Sequence, residues 1–398
     1  MRILLCNEHY CPVGGAEIYM LDVAVRLEEL GHEVGVLHDT PMDPALEGRR
    51  PSFHVPGSLG FFQDQSRQAV NEVRGAVRQF SPDLIYQIQV LDPAVSQVLS
   101  EAAPVVRYVM GLRLTCPSGR RMPQTWDGIC TKPFDVHCLW KAHTQLCMPR
   151  RPDTALKVWN KVRRSRQANK EFARLLLPSR YVRDLLIEGG FSTEQLEVLH
   201  LYADVDEKIT ANKPGRERRI VALGRLIPEK GFQCLIEALD YIKVPALLEI
   251  IGDGSEASSL RELAVKAPER HTVIFSEWLP KERIFEVFTQ GRVAAVPSIW
   301  PEPFGMVGVE SMAHGLPAVA FDVGGISDWL TDGKTGTLIP RKDIPAMGQA
   351  LEAYLTDYDL AERHGVAGRQ DVLGRFLPAH HMNRLMEVFE EVRSNSTV

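Results

Sequence analysis

The strongest constraint on this chain is an alternation, met twice, of short apolar runs with longer stretches of helical periodicity. Residues 2–6 are a strand-like apolar run, the turn Pro12-Val13-Gly14-Gly15 follows, and apolar residues then recur at helical spacing over 16–30 until Gly31 stops them. Another run fills 33–38, and further runs lie at 84–90 and 105–110. The second half repeats the pattern, with strand-like runs at 219–223, 247–251, 273–275, 293–296 and 318–321 and helical stretches at 232–241, at 281–288 and near Gly305. Strands separated by helices cannot close tight hairpins, so they pair in parallel and their helices cover both faces of the sheet. The expected class is α/β, with two doubly wound parallel sheets.

A chain of 398 residues exceeds one ordinary core and suits two. We expect a first domain over 1–203, a second over 204–378, and a terminal segment over 379–398. Its helix, near 380–392, follows Pro378 and can pack on either domain, the first included. The connector is placed at 204–218, which is polar and carries Pro214-Gly215. A composition of 44% hydrophobic and 24% charged residues is that of a soluble globular protein, and a net charge of −5 argues against a nucleic-acid partner. The opening apolar run breaks at Asn7-Glu8, too early for a signal peptide or a membrane span. Seven cysteines, an odd number and without a secretory leader, point to reduced thiols and a cytoplasmic location.

In open parallel sheets, ligands bind beyond the carboxyl ends of the strands. Gly14-Gly15-Ala16-Glu17 follows the first strand, where a glycine turn and a helix N-terminus can receive an anion. A purely structural turn is the alternative. Gly224-Arg225-Leu226-Ile227-Pro228-Glu229-Lys230-Gly231 follows the first strand of the second half, and an Arg fork with a Lys cation suits a diphosphate. Two solvated loop charges are the plainer alternative. Gly252-Asp253-Gly254 ends the next strand and is by itself a turn signal. Most specific is the stretch from Pro301 to Glu310: Glu302 lies just before a helix, Gly305 permits close approach, and the amides of Gly305, Met306 and Val307 can face a phosphate. Glu310, one turn into that helix, can accept both hydroxyls of a ribose diol.

Together the Gly-Gly-Ala-Glu turn, the Gly-Arg-x-x-x-x-Lys-Gly loop, Gly-Asp-Gly, and the Glu302 and Glu310 pair resemble glycosyltransferase family 4, the retaining, group 1 glycosyl transferases of the GT-B fold. The resemblance is close over about 215–340 and looser over the first 200 residues. It implies two Rossmann-like domains facing across a cleft. Carried over by position, Arg225 and Lys230 bind the donor diphosphate and assist catalysis, Glu310 holds the ribose, and Glu302 contacts the transferred sugar as a catalytic group. Gly15, Gly305, Met306 and Val307 supply donor-binding backbone. The implied reaction moves a hexose or N-acetylhexosamine from a UDP- or GDP-linked donor to a hydroxyl of a glycan, a lipid-linked or a small-molecule acceptor, with no obligatory metal. A nucleotide-sugar epimerase on the same fold and a non-catalytic nucleotide-sugar binding protein are the rival readings.

Relatives often carry a His-Asp pair six residues before a Cys-Pro; here Cys116-Pro117 is preceded at that spacing by Met110-Gly111. A methionine packs against a sugar but cannot hydrogen-bond it as imidazole does. His9 is a candidate substitute. Cys116, Cys130, Cys138 and Cys147, near His137 and His143, are candidate ligands of a structural zinc, although no Cys-x-x-Cys spacing is present. Over 150–170 stand Arg150, Arg151, Lys157, Lys161, Arg163, Arg164, Arg166 and Lys170, with Leu156, Trp159 and Val162 at helical spacing. A basic amphipathic helix near 153–172 is expected, either resting on an anionic membrane or simply covering the first domain.

Overall fold

The computed structural model describes residues 1–60, 67–90, 92–125, 127–205 and 213–396. The chain divides into two compact units, Met1–Leu199 with Met382–Val398, and His200–His381. The expected connector at 204–218 falls partly on 206–212, outside the described residues.

In the first unit the described strands are β1 (Arg2–Asn7), β2 (Glu33–His38), β3 (Ser52–His54), β4 (Leu84–Gln87), β5 (Val105–Tyr108), β6 (Arg174–Leu177) and β7 (Leu196–Val198). They form one parallel sheet in the order β3-β2-β1-β4-β5-β6-β7. Ile3, Leu4, Leu5 and Cys6 are fully buried, as a central strand with helices on both faces requires. Asn7 ends β1 where the strand order reverses; its Nδ2 donates to the His9 carbonyl at 2.8 Å, and its Oδ1 accepts from the Gln89 amide at 3.1 Å. The terminal helix Pro378–Ser396 sets Phe389 edge-on against Tyr86, ring centroids 5.2 Å apart, and Arg384 forks onto Glu197 at 2.5 and 3.0 Å.

In the second unit the strands are β8 (Arg219–Leu223), β9 (Leu247–Ile251), β10 (Thr272–Ser276), β11 (Val293–Val296), β12 (Ala318–Phe321) and β13 (Gly336–Ile339), all parallel, in the order β10-β9-β8-β11-β12-β13. The first five answer to apolar runs visible in sequence. β3, β6, β7 and β13 were not foreseen; β3 and β7 hold three residues each, too few to show a period. Each sheet reverses direction of growth beside its first strand, so the second unit has a topological switch point between β8 and β11, the place where open parallel sheets generally take ligands. No described helix is long and apolar enough to cross a membrane.

Candidate active site

At the switch point of the second unit, the loop 224–231 after β8 meets the loop 297–305 after β11. The approach is so close that a Cβ on Gly231, which has φ +68°, would lie 2.0 Å from the Pro297 carbonyl oxygen. The Ile299 amide donates to the Glu229 carbonyl at 3.0 Å, and the Ser298 hydroxyl donates to the same oxygen at 3.4 Å. From the other side, Gly252 at φ +141° packs on the Gly224 carbonyl, where a Cβ would stand 2.0 Å away. Glycine at these positions lets three loops nest without side chains between them.

That nesting brings two predicted site residues together. Lys230, at the end of the 3-10 turn Pro228–Lys230, places Nζ 2.5 Å from Glu302 Oε1. The Ser298 hydroxyl donates to the same oxygen at 2.6 Å. Glu302 is 5% exposed. Burial raises its carboxyl pKa, but the Lys230 charge and the hydrogen bonds from Lys230 and Ser298 outweigh burial and hold it below its ordinary value. The Trp300 indole lowers it slightly further, although its Nε1 is buried without a hydrogen bond of full geometry. The backbone is locked as well: the Gly325 amide donates to the Glu302 carbonyl at 2.7 Å, and a Cβ on Gly324, at φ +60°, would come within 2.2 Å of that carbonyl.

Gly305 caps the helix Met306–Ala313 in the left-handed region, φ +94°. The helix rests on Trp329, whose Nε1 donates to the Phe304 carbonyl at 2.7 Å and whose ring would lie 1.9 Å from a Cβ on Gly308. The Met306 and Val307 amides belong to the first turn, where a helix offers no acceptor of its own. Glu310 is half-buried one turn on, with its carbonyl accepting from His314 Nδ1 at 2.8 Å. Arg225 is exposed and unpaired among the described residues.

Gly15 is the exposed first residue of the helix Gly15–Glu29, and a Cβ there would meet nothing within 4 Å. Met110 is partly exposed just beyond β5, and His9 pairs through Nδ1 with the Thr40 hydroxyl at 3.1 Å. Both belong to the first unit.

Ser298, Gly324 and Trp329 were missed by sequence reasoning. Gly324-Gly325, separated by two residues from the strand-like run 318–321, was the one usable signal; nothing local marks Ser298 or Trp329.

The four cysteines are free thiols lining one cavity, whereas His137 is exposed beside Asp135 and His143 is exposed. The basic stretch forms the helix Pro152–Lys170, with a correction to its outer face. Arg166 turns inward and donates to the Leu114 and Gly189 carbonyls, and Lys161 pairs with Asp92 at 3.4 Å. Lys157, Arg163, Arg164 and Lys170 remain exposed.

Two family profiles match the chain, "Glycosyltransferase Family 4" over 13–207 and "Glycosyl transferases group 1" over 205–371. An alpha-maltose-1-phosphate synthase of Mycolicibacterium smegmatis is 31% identical over 188 residues, 44% of this chain and 48% of that enzyme. A GDP-mannose-dependent alpha-(1-6)-phosphatidylinositol monomannoside mannosyltransferase of the same organism is 32% identical over 212 residues, 48% of this chain and 55% of that enzyme. The chain thus spans about half the length of the curated relatives it matches. Among solved structures, Anabaena Alr3699/HepE in complex with UDP aligns over 98% of this chain and 100% of its own, with a TM-score of 0.72 at 19% identity. Two parallel Rossmann-like sheets, whole-chain likeness to solved GT-B structures and adjoining profile matches place this chain in glycosyltransferase family 4, with the GT-B fold.

Proposed function

We propose that this chain is a retaining glycosyltransferase that moves a hexosyl or N-acetylhexosaminyl group from a UDP- or GDP-linked donor to an acceptor hydroxyl. The observation that carries the reading is the Lys230–Glu302 pair at the switch point of a parallel sheet, with unpaired Arg225 on the same loop. Lysine has three N–H donors. One faces Glu302 Oε1, so the others can reach a diphosphate oxygen without breaking the pair. The Lys230 and Ser298 hydrogen bonds both fall on Glu302 Oε1, and Oε2 is assigned to a sugar hydroxyl. Arg225 and the Met306 and Val307 amides add positive potential where the leaving diphosphate gains charge. Glu310 is assigned to the ribose diol, and Gly15 to a backbone contact with the donor.

In this scheme the bond from the anomeric carbon to the phosphate oxygen breaks, and a bond to the acceptor oxygen forms on the same face. The acceptor proton passes to the departing phosphate. No protein nucleophile is assigned, and the charge of the diphosphate is met by side chains and amides without an obligatory metal. The names of similar proteins support the donor class: one is GDP-mannose-dependent, and HepE has a solved complex with UDP-glucose. We place the protein in the cytoplasm, with the exposed side of helix Pro152–Lys170 against an anionic membrane.

The test is a panel of UDP- and GDP-sugars, read by thermal shift and then by release of nucleoside diphosphate with candidate acceptors. Acceptor-dependent release and an anomeric configuration matching the donor are expected. An epimerised donor formed without acceptor, or binding with no release across the panel, overturns the proposal.

A further inference from the structure

Between β5 and the helix Pro152–Lys170, the described residues hold one short helix, His137–Thr144, whose Ala142 packs with Met148 and with Ala155 of the longer helix. So long a connection with so little regular secondary structure needs another source of order. Cys116, Cys130, Cys138 and Cys147 come from four separate places in it, a turn, a loop, the first turn of the short helix and the loop beyond, yet all four line the same cavity. All are free thiols.

The cavity has a volume of about 20 Å³, room for one water-sized or ion-sized occupant. Around the thiols its wall carries Arg121, Lys132 and Lys141 and no carboxylate. Arg121, 2% exposed and at φ +54°, binds the loop from within. It donates to the Cys130 carbonyl at 2.9 Å, the Thr115 carbonyl at 3.3 Å and the Lys132 carbonyl at 3.2 Å, and its own carbonyl accepts from the Cys130 amide at 2.6 Å. One guanidinium therefore holds the backbone beside two of the thiols against the same wall.

We infer that Cys116, Cys130, Cys138 and Cys147 form a structural zinc site, a closed tetrathiolate that orders this segment of the first unit. Soft thiolates around an ion-sized space suit zinc, which takes four ligands tetrahedrally with Zn–S near 2.3 Å. Binding converts four thiols to four thiolates and releases their protons. The complex carries a net charge of −2, which Arg121, Lys132 and Lys141 offset. Among the described residues no group of three or more His, Cys, Asp or Glu side chains is placed to hold a metal ion, so the four thiols must draw together about the zinc as it binds.

The test uses the full chain, purified under reducing conditions without chelator. Metal analysis is expected to find one zinc per chain, and Cys138→Ser and Cys147→Ser to lose it, while Cys11→Ser, outside the cavity, keeps it. Stripping the wild type and adding cobalt(II) should give the charge-transfer and d–d absorption of a tetrahedral cobalt tetrathiolate, a readout that stands even if the serine variants misfold. Absence of both zinc and the cobalt spectrum overturns the site. So does iron with labile sulfide, or a mass deficit showing disulfides among these four cysteines.

Discussion

Lys230 Nζ lies 2.5 Å from Glu302 Oε1, a contact made across 72 residues of sequence. Lys230 read as a diphosphate ligand and Glu302 as a sugar ligand; in the folded unit each is also the other's counter-charge. The pair fixes the two proposed donor-binding groups through a single bond, and Ser298 donates to the same carboxylate oxygen. Removing either member changes both the fold's charge balance and the proposed site.

Lys230→Ala should destabilise the protein by about 3–5 kcal/mol, because Glu302 is left buried without its cation. Adding Glu302→Gln should recover most of that stability without restoring glycosyl transfer. Urea unfolding of the two single variants and the double variant checks the coupling. Additive effects would show that the pair contributes nothing to stability.

The pH response follows from the same pair. Glu302 has a folded-state pKa below its ordinary value of 4.5, so the unfolded chain binds the proton more readily. Its stabilising contribution is present above that ordinary value and is lost as pH falls through the folded pKa. Wild-type unfolding free energy should therefore drop more steeply below about pH 4.5 than that of Glu302→Gln. Parallel profiles from denaturation at stepped pH would contradict the assignment.

Arg225→Ala should leave unfolding within about 0.5 kcal/mol of wild type, since the side chain is exposed and unpaired among the described residues. Donor affinity should fall by about 1.5–3 kcal/mol from a lost charged hydrogen bond. Calorimetric titration with the best donor of the panel measures it. Unchanged affinity removes Arg225 from the donor site.

Two glycines should separate packing from ligand approach. Gly308→Ala drives a methyl into the Trp329 ring and should cost about 1–3 kcal/mol or more in thermal unfolding. Gly15→Ala meets no protein atom within 4 Å and should fold normally, but slow transfer by crowding the donor. Full activity in a stable Gly15→Ala protein would exclude that backbone contact.

Charge reversal at Lys157, Arg163 and Arg164 should abolish salt-sensitive binding to vesicles containing anionic lipid while leaving donor binding intact. Co-sedimentation at low and high ionic strength measures the effect. Binding that persists in the reversed variant would assign no membrane role to this helix face.

The α/β class and both parallel sheets were legible because strand and helix periodicities are properties of contiguous residues. The Arg225–Lys230 loop and the Glu302-to-Glu310 stretch were legible for a related reason: each candidate set lies within one short segment after a predicted strand. Short strands such as β3 and β7 left no such trace. Nor did relations across the chain. Strand order brings the β8 and β11 loops together, and with them Lys230, Ser298 and Glu302. The inward turn of Arg166 and Lys161 arises from the elements their helix packs against. The four thiols share a cavity although their spacing follows no familiar ligand motif. Local pattern therefore specifies which elements form and which chemical groups end them, but side chains distant in sequence meet only through the order in which strands pair and loops nest.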